Sequence, residues 1–401
     1  MCYCARGCRY LPMFDYINGK ILSRCHSIAD LRRAAKRRLP KAVFDYMDGA
    51  AEDEVTLYRN QADFGRYELL PHFLVDVGNI DLSVKALGAD LGVPFVLAPT
   101  GMSRLFHHTG EKSVARAAHK ARTLYSLSSV ATTSIEDIAG TCGGPKMLQL
   151  YVWRDRSILQ DFIQRARESG YAALCLTVDL PQAGQRERDL KNGFTVPPQI
   201  RLSNILDTML RPDWLLDFLT SPRMRLENVR THTTAGQNLF SVIDYTTRQF
   251  DPTLTWDDMA WIIEEWGGPF AIKGILTAAD ARRAVEAGVT AVILSNHGGR
   301  QLDHGPSPVS VLPEVADAVG DRAETILDGG IRRGTDVIKA LSLGARAVMI
   351  GRAYLFGLGA GGEAGVDRAL ELLTAEIRRN MALLGCPSVK QLGSKYVREI
   401  R

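Results

Sequence analysis

Hydrophobic positions along this 401-residue chain follow a repeating order: an alanine-rich helical pattern, a glycine, and then a short continuous apolar run. A glycine at the end of a helix provides the left-handed residue that a C-cap requires. A continuous run of Val, Ile or Leu is typical of a strand buried on both faces of a parallel sheet. The three clearest repeats are Arg165–Val178 with Gly170, Ala281–Asn296 with Gly288, and Ile338–Arg352 with Gly344.

Eight apolar runs of this kind occur, and helical patterns separate most of them. Eight strands with intervening helices predict an α/β fold, a (β/α)8 TIM barrel in a single domain. A doubly wound sheet is the alternative, but its first strand is usually followed by a glycine fingerprint, which 99–102 does not match. The predicted strands are Pro94–Ala98, Thr123–Leu127, Lys146–Val152, Ala172–Val178, Phe270–Ile275, Ala291–Ser295, Thr325–Leu327 and Ala347–Ile350.

Helical patterning begins at Ser27, a candidate N-cap with Asp30 three residues later, and a second helix follows Pro40. We therefore expect a disordered leader over residues 1–26 and a barrel domain over residues 27–401. Four of the seven cysteines fall in this leader without the paired spacing of a zinc site. The odd number argues against a disulfide framework, so we expect neither disulfides nor a metal site.

A long insertion separates the fourth predicted strand from the fifth and spans residues 180–269. Insertions of this length at the active face of a barrel are usually lids or binding loops. An apolar cluster lies inside it, from Trp214 to Leu219, between Arg211 and Arg223. Such a cluster is typical either of a helix packed on the barrel or of a helix in a membrane interface, and both alternatives stay open.

The formal net charge of +4 is small and evenly spread, so we expect no nucleic-acid partner. No apolar run approaches the roughly 18 residues that a membrane span needs. The first residues also lack the apolar core of a secretory signal. These observations predict a cytoplasmic protein, with peripheral contact at the inner face of the cell membrane as an open alternative.

Polar and reactive residues cluster where the predicted strands end. In a barrel, the carboxyl ends of all strands form one ring around one mouth, which is where barrel enzymes place their active sites. The sequence therefore predicts a single site built from these positions: Thr100, Ser128, Gln149, Tyr151, Thr177, Asp179, Lys273, Ser295 to Arg300, Asp328 to Gly330, Gly351 and Arg352.

The stretch Ser295–Asp303 carries the strongest local signal, a histidine on a glycine-flanked loop. Imidazoles titrate near neutral pH, so His297 suits a general base. Arg300 follows three residues later, and a guanidinium matches a carboxylate with two parallel hydrogen bonds. A base beside a carboxylate clamp predicts proton removal next to an acid group.

Glycine-rich loops with arginines, 328–334 and Gly351–Arg352, end the last two strands. Loops at these places in a barrel often bind phosphate through backbone N–H groups, and Arg332 and Arg352 add charge. Lys273 ends the fifth strand, where a cation suits a reduced cofactor ring; a buried lysine paired with a carboxylate is the alternative. The pattern predicts a phosphorylated cofactor and a small acid substrate.

From about Ser27 to the C-terminus the chain resembles the FMN-dependent 2-hydroxy acid oxidoreductases, which include glycolate oxidase, L-lactate dehydrogenase and mandelate dehydrogenase. Ser295–Asp303 matches the family signature fully. The resemblance implies FMN, a small L-2-hydroxy acid substrate and a homotetramer. Supporting stretches are Phe44–Tyr46, Gly49–Glu54, Gln149–Tyr151, Thr177–Asp179, Arg186–Glu187, Lys273–Gly274 and Asp328–Gly334.

The resemblance also implies roles for individual residues. His297 would be the base, Asp179 would stabilise its imidazolium, and Tyr151 would bond the substrate hydroxyl. Tyr46, Arg186 and Arg300 would hold the substrate carboxylate, and Lys273 would lie beside the flavin. Expected ring contacts are Pro99, Thr100, Gly101, Ser128, Gln149, Thr177 and Ser295. Expected ribityl and phosphate contacts are Asp328, Gly329, Gly330, Arg332, Gly351 and Arg352.

Two pocket positions distinguish family members. Val130 stands where glycolate oxidase has Trp, and Gly101 stands where the oxidases have Ala, as in several dehydrogenases. These residues and the long insertion favour an L-lactate dehydrogenase that passes electrons to a quinone or cytochrome. An oxygen-using 2-hydroxy acid oxidase, a mandelate-type dehydrogenase and an inactive flavin-binding barrel are the alternatives.

Overall fold

A computed structural model describes residues 19–194, 199, 201–232 and 249–400. Eight parallel strands form a closed barrel in which neighbours follow the chain order and the last strand pairs with the first. The predicted TIM barrel is confirmed. The strands are β1 Phe95–Thr100, β2 Tyr125–Ser128, β3 Lys146–Tyr151, β4 Ala173–Thr177, β5 Phe270–Ile275, β6 Ala291–Leu294, β7 Glu324–Asp328 and β8 Ala347–Ile350.

Helices surround the barrel because its apolar strands must be covered on the outside as well as filled inside. The last helix is kinked at Gly361 and Gly362, where the backbone leaves helical geometry. The main outer helices are Gly110–Lys120, Ile135–Ala139, Arg156–Glu168, Met259–Trp266, Ala278–Glu286, Pro308–Val319, Gly334–Ser342 and Arg352–Leu384.

The three glycines of the repeats have left-handed backbones, with φ of 69° at Gly170, 96° at Gly288 and 107° at Gly344. Each follows the last turn of a helix and precedes a barrel strand, as the repeat predicts. The pattern of helix, glycine and strand is therefore confirmed at all three places.

The start of the barrel domain follows the predicted order. Ser27 caps helix Ile28–Arg38 by accepting a hydrogen bond from the Asp30 N–H, and helix Lys41–Asp48 comes next. Residues 1–18 of the predicted leader lie outside the described residues. Residues 19–26 are described, with a helical turn at 19–23 and with Leu22 and Cys25 in the core. Packed structure therefore begins upstream of residue 27.

Short antiparallel strands lie outside the barrel. Hairpin Val84–Ala86 and Ala89–Leu91 packs at the amino-terminal ends of the barrel strands, where the Leu87 N–H donates to Glu324. Strand Tyr67–Leu69 pairs with Val397–Glu399 near the C-terminus. The long loops lie at the other end of the barrel, at the carboxyl ends of the strands, where the predicted site also lies.

The insertion after β4 contains helices Glu187–Lys191, Leu202–Met209 and Pro212–Thr220. Trp214 is buried, and its indole N–H donates to the Leu105 carbonyl at 2.8 Å. At Trp214 the helix therefore packs on the loop after β1, as the first of the two alternatives expects. Leu216, Phe218 and Leu219 of the same helix are exposed. None of the helices in the described part of the chain has the length and hydrophobicity of a transmembrane segment.

Candidate active site

One cleft of about 1020 Å³ opens at the carboxyl ends of the barrel strands. Ser128, Asp179 and Ser295, which are not among its lining residues, lie next to lining residues and are bonded to them. The ring of polar residues expected from the sequence is therefore assembled at one place. The predicted site residues that line the cleft are Tyr46, Pro99, Thr100, Gly101, Val130, Gln149, Tyr151, Thr177, Arg186, Lys273, His297, Arg300, Asp328, Gly329, Gly330, Arg332, Gly351 and Arg352.

His297 lies just beyond the end of β6 in a left-handed conformation, with φ of 57°. A residue with a Cβ adopts this conformation only where its surroundings enforce it, and such positions cluster at functional sites. The enforcement is visible here: the His297 N–H donates to Ser295 Oγ at 3.0 Å, and the Asn296 side chain accepts from the Gly299 N–H at 3.1 Å. Asn60 holds the Asn296 amide through two reciprocal hydrogen bonds.

The His297 imidazole lies between a carboxylate and a phenol. Its Nδ1 is 2.9 Å from Asp179 Oδ1, and its Nε2 is 3.5 Å from the Tyr151 hydroxyl. Burial opposes ionisation of Asp179, but the adjacent imidazole holds the pKa of this carboxyl below its usual value. An ionised carboxylate only accepts hydrogen bonds, so Nδ1 carries the hydrogen and Nε2 is the basic nitrogen.

Lys273, Ser295 and Asp328 form a buried triangle below the cleft. Lys273 Nζ is 2.8 Å from both Ser295 Oγ and Asp328 Oδ2, and the Ser295 hydroxyl donates to the same carboxylate oxygen. Burial lowers the pKa of Lys273, but the attraction of Asp328 outweighs it and the net shift is upward. The lysine therefore stays charged. Lys273 thus forms the ion pair with a carboxylate that the sequence left open as an alternative. It also lines the cleft, as the cofactor role requires.

Two arginines flank the ring of Tyr46. The guanidinium carbon of Arg300 is 5.0 Å from the ring centroid, and that of Arg186 is 5.9 Å away. Both distances allow cation–π attraction. Arg186 is oriented by Asp189, to which its Nε donates at 2.8 Å. The pair offers two guanidinium groups and one phenol to a negatively charged group in the cleft.

Arg352 is held almost entirely by backbone oxygens. Its three nitrogens donate to the carbonyls of Met47 (3.1 Å), Gly49 (2.7 Å) and Gly298 (2.8 Å). Burial, and then the repulsion of neighbouring arginines, lowers the pKa of Arg352 to about 9. Burial likewise lowers the pKa of Arg332 to about 10.

No carboxylate of the described residues lies within ion-pair distance of Arg300, Arg332 or Arg352. A partly buried charge without a counter-ion is costly, so the cleft is built to receive anions. Three half-buried cations in one cleft suit both a phosphate and a carboxylate.

Buried polar atoms without partners provide a second sign of a missing ligand. In the described structure, Gln149 Nε2 and Thr177 Oγ1 have no hydrogen-bond partner, although both residues line the cleft. Such atoms are usually satisfied, so these two are placed for a polar ligand. Gly330 is required for another reason: it has φ of 82°, and a Cβ there would lie 1.9 Å from the Asn60 carbonyl oxygen, so glycine lets the loop after β7 pack against the Asn60 backbone.

Several lining residues were not predicted from the sequence. Phe250 packs against Tyr151 with ring centroids 5.1 Å apart, and Phe194 packs against Tyr46 at 4.9 Å. Both residues belong to the insertion, and no local pattern in the sequence predicts which of its residues reach the cleft. Asn60 was missed for a similar reason, because its partner Asn296 lies 236 residues away.

Comparisons with known proteins agree with this geometry. The family model described as FMN-dependent dehydrogenase matches residues 35–399. The chain belongs to this FMN-dependent dehydrogenase family. It is 44% identical over 392 residues to a putative L-lactate dehydrogenase of Mycobacterium tuberculosis (strain ATCC 25618 / H37Rv). The aligned region covers 97% of this chain and 93% of that relative. It is 40% identical over 371 residues to glycolate oxidase of Spinacia oleracea, covering 92% and 95%.

Among solved structures, the monotopic membrane protein (S)-mandelate dehydrogenase superposes with a TM-score of 0.91 at 39% identity, covering 94% of this chain and 100% of that one. This FMN-dependent dehydrogenase is thus an oxidoreductase of 2-hydroxy acids with FMN as cofactor. The unpaired arginines and the unpartnered Gln149 and Thr177 atoms fit a phosphate and a flavin ring.

The charge at Arg332 leads to a test with flavin-free protein. FMN should bind more tightly than riboflavin, which lacks the phosphate. Arg332→Ala should remove most of this difference, since a charged hydrogen bond contributes about 1.5–3 kcal/mol, or roughly 10–100-fold in Kd. Titration of flavin fluorescence measures both constants. Arg333→Ala is the matched control, because Arg333 is exposed and pairs with Glu376; an equal loss in both variants would exclude a phosphate contact at Arg332.

Proposed function

We propose that this protein oxidises L-lactate to pyruvate and passes the electrons to a quinone or a cytochrome. The observation that carries the proposal is the pairing of His297 with Asp179 in the same cleft as Arg186 and Arg300. A base beside two guanidinium groups suits proton removal from a substrate whose carboxylate is clamped.

The chain's own residues divide the work. Arg186 and Arg300 hold the carboxylate and so orient the hydroxyl group toward the basic nitrogen of His297. As His297 takes the proton, Asp179 stabilises the imidazolium, as a buried carboxylate does in a catalytic triad. Burial raises the pKa of Tyr151, which keeps its hydroxyl protonated and able to donate to the substrate oxygen. FMN, when bound, supplies the two-electron acceptor for this oxidation.

Replacement of the base tests this division. His297→Gln should keep FMN bound but lower turnover by at least roughly 10²–10⁴-fold, since this is the typical contribution of a general base. Flavin absorbance measures occupancy, the rate of anaerobic flavin bleaching by lactate measures the substrate-oxidation step, and reduction of an artificial dye measures turnover. His304→Gln on the same loop, at an exposed position with φ of 61°, is the control and should be near normal. Normal bleaching by His297→Gln would remove this histidine from the mechanism.

Two residues support lactate over glycolate and a dehydrogenase over an oxidase. The Val130 side chain leaves more room in the pocket than a tryptophan would. Gly101 lies beside it, and a Cβ added to this glycine would lie only 2.8 Å from Val130 Cγ2. The pair therefore sets the width of the pocket at this wall. An oxygen-using 2-hydroxy acid oxidase is the second candidate, favoured by the similarity to glycolate oxidase. A mandelate-type dehydrogenase is the third, favoured by the structural similarity.

The acceptor can be tested directly. Under aerobic turnover with lactate, the protein should release hydrogen peroxide much more slowly than it reduces a quinone or an artificial dye. We expect at least a tenfold difference, which is about 1.4 kcal/mol in the reoxidation barrier. Peroxide is measured with a coupled peroxidase assay and dye reduction by absorbance. Peroxide release as fast as dye reduction would assign the protein to the oxidases.

We further propose that the insertion contacts the inner face of the cell membrane and that the protein is cytoplasmic and homotetrameric. Exposed apolar side chains on its two central helices support the membrane contact, because patches of this kind mark interaction surfaces. Arg201, which is exposed and precedes the first of these helices, suits anionic lipid. The exposed residues are Leu202, Ile205, Leu206, Met209, Leu210, Leu216, Phe218 and Leu219.

A paired charge substitution tests the membrane contact. Leu206→Glu with Leu210→Glu should reduce binding to anionic vesicles by at least about tenfold, because burial of each leucine contributes roughly 1.5–3 kcal/mol. Co-sedimentation measures the binding. Leu383→Glu is the control, since this leucine is equally exposed but lies in the last helix. Unchanged sedimentation of the double variant would exclude these helices as the contact.

A further inference from the structure

The cleft extends beyond the residues assigned to cofactor and substrate. Its additional wall lies between the loop after β1 and the insertion segment 212–226, and we call this part the annex. The annex is mostly apolar. It is lined by Leu105, Phe106, Trp214, Phe218, Met224 and Leu226.

One wall of the annex is helix Pro212–Thr220, and two contacts with the rest of the protein hold this helix in place. Trp214 donates to the Leu105 carbonyl, and its ring stacks on Phe218 with centroids 5.0 Å apart. Asp217 is buried and forms an ion pair with Arg38, while His108 Nδ1 lies 3.3 Å from its carboxylate. These contacts fix the helix over the loop after β1 and keep the space beneath it defined.

The annex opens on the apolar side of the insertion. Phe218 is 48% exposed and Leu219 is 67% exposed, yet both residues also line the cleft. Leu216, on the same helix, is 50% exposed. An apolar ligand that approaches along this surface can therefore reach the cleft past apolar side chains. Arg104 and Arg223 also line this part of the cleft, but a lipid-soluble molecule gains from the apolar route because its apolar surface is removed from water along it.

We propose that the annex binds the ring of a lipid-soluble quinone, and this inference rests on the proposed dehydrogenase function. The quinone takes the two electrons released by oxidation of the 2-hydroxy acid together with two protons, and leaves as the quinol. The hydroxy acid loses two hydrogens and leaves as the 2-oxo acid, so atoms and electrons balance. Aromatic and thioether side chains suit the quinone ring, and His108, which also lines the cleft, places an imidazole at the wall for a carbonyl.

Filling the annex tests the proposal. Met224→Trp in the full-length, FMN-loaded protein should raise the Kd for decylubiquinone at least tenfold, as measured by ultrafiltration without turnover. The KM for decylubiquinone should rise in parallel, while anaerobic flavin bleaching by lactate stays as in the unsubstituted protein. Met209→Trp is the matched control, since Met209 is 64% exposed and is not a lining residue of the cleft. Met224→Phe replaces Met224→Trp if the larger side chain prevents folding.

The outcomes separate the two proposals. Failure of lactate to bleach the flavin would contradict the proposed function. If lactate bleaches the flavin but the unsubstituted protein neither binds nor reduces decylubiquinone, the annex proposal alone is overturned, because a cytochrome would remain as the acceptor. If the unsubstituted protein reduces decylubiquinone but the folded Met224 variants bind it normally, the annex proposal is overturned. It is also overturned if those variants lose affinity only for mandelate, because the annex would then receive the side chain of a bulky substrate.

Discussion

The arrangement of the arginines at the mouth of the barrel depends on the carboxyl end of one short helix, Lys41–Asp48, whose carbonyl groups bind two of them. Carbonyl groups at a helix C-terminus carry partial negative charge and lack partners within the helix. Arg300, from the loop after β6, donates to the carbonyls of Tyr46 and Gly49, and Arg352, after β8, donates to those of Met47 and Gly49. A segment from the start of the chain is thereby joined to two strand ends, and Tyr46 is placed in the cleft.

These backbone contacts orient the arginines without neutralising them. Carboxylates of the described residues are instead paired elsewhere: Asp328 with Lys273, Asp189 with Arg186, and Asp179 with His297. The cleft thus has a side with excess positive charge and a side with a basic nitrogen backed by a carboxylate. This division suits a phosphorylated cofactor and an anionic substrate that loses a proton, and the family assignment agrees with it.

Local signals made much of this predictable from the sequence. Apolar runs, glycines at helix ends and polar residues after strands are local features, and the barrel converts them into one site. Contacts between distant segments left no such signal. Three features depend on tertiary packing in this way. They are the hydrogen bonds between Asn60 and Asn296, the burial of Leu22 ahead of Ser27, and the presence of one buried and one exposed face on helix Pro212–Thr220.

Anaerobic addition of L-lactate to the purified, FMN-loaded protein, followed by flavin absorbance, tests whether this cleft oxidises an L-2-hydroxy acid. We expect fast bleaching of the yellow oxidised flavin, because His297, Arg186 and Arg300 are placed for such a substrate. A protein that binds FMN but stays yellow with lactate would rule out lactate as the substrate. A protein that cannot take up FMN would rule out the flavin-dependent chemistry as a whole.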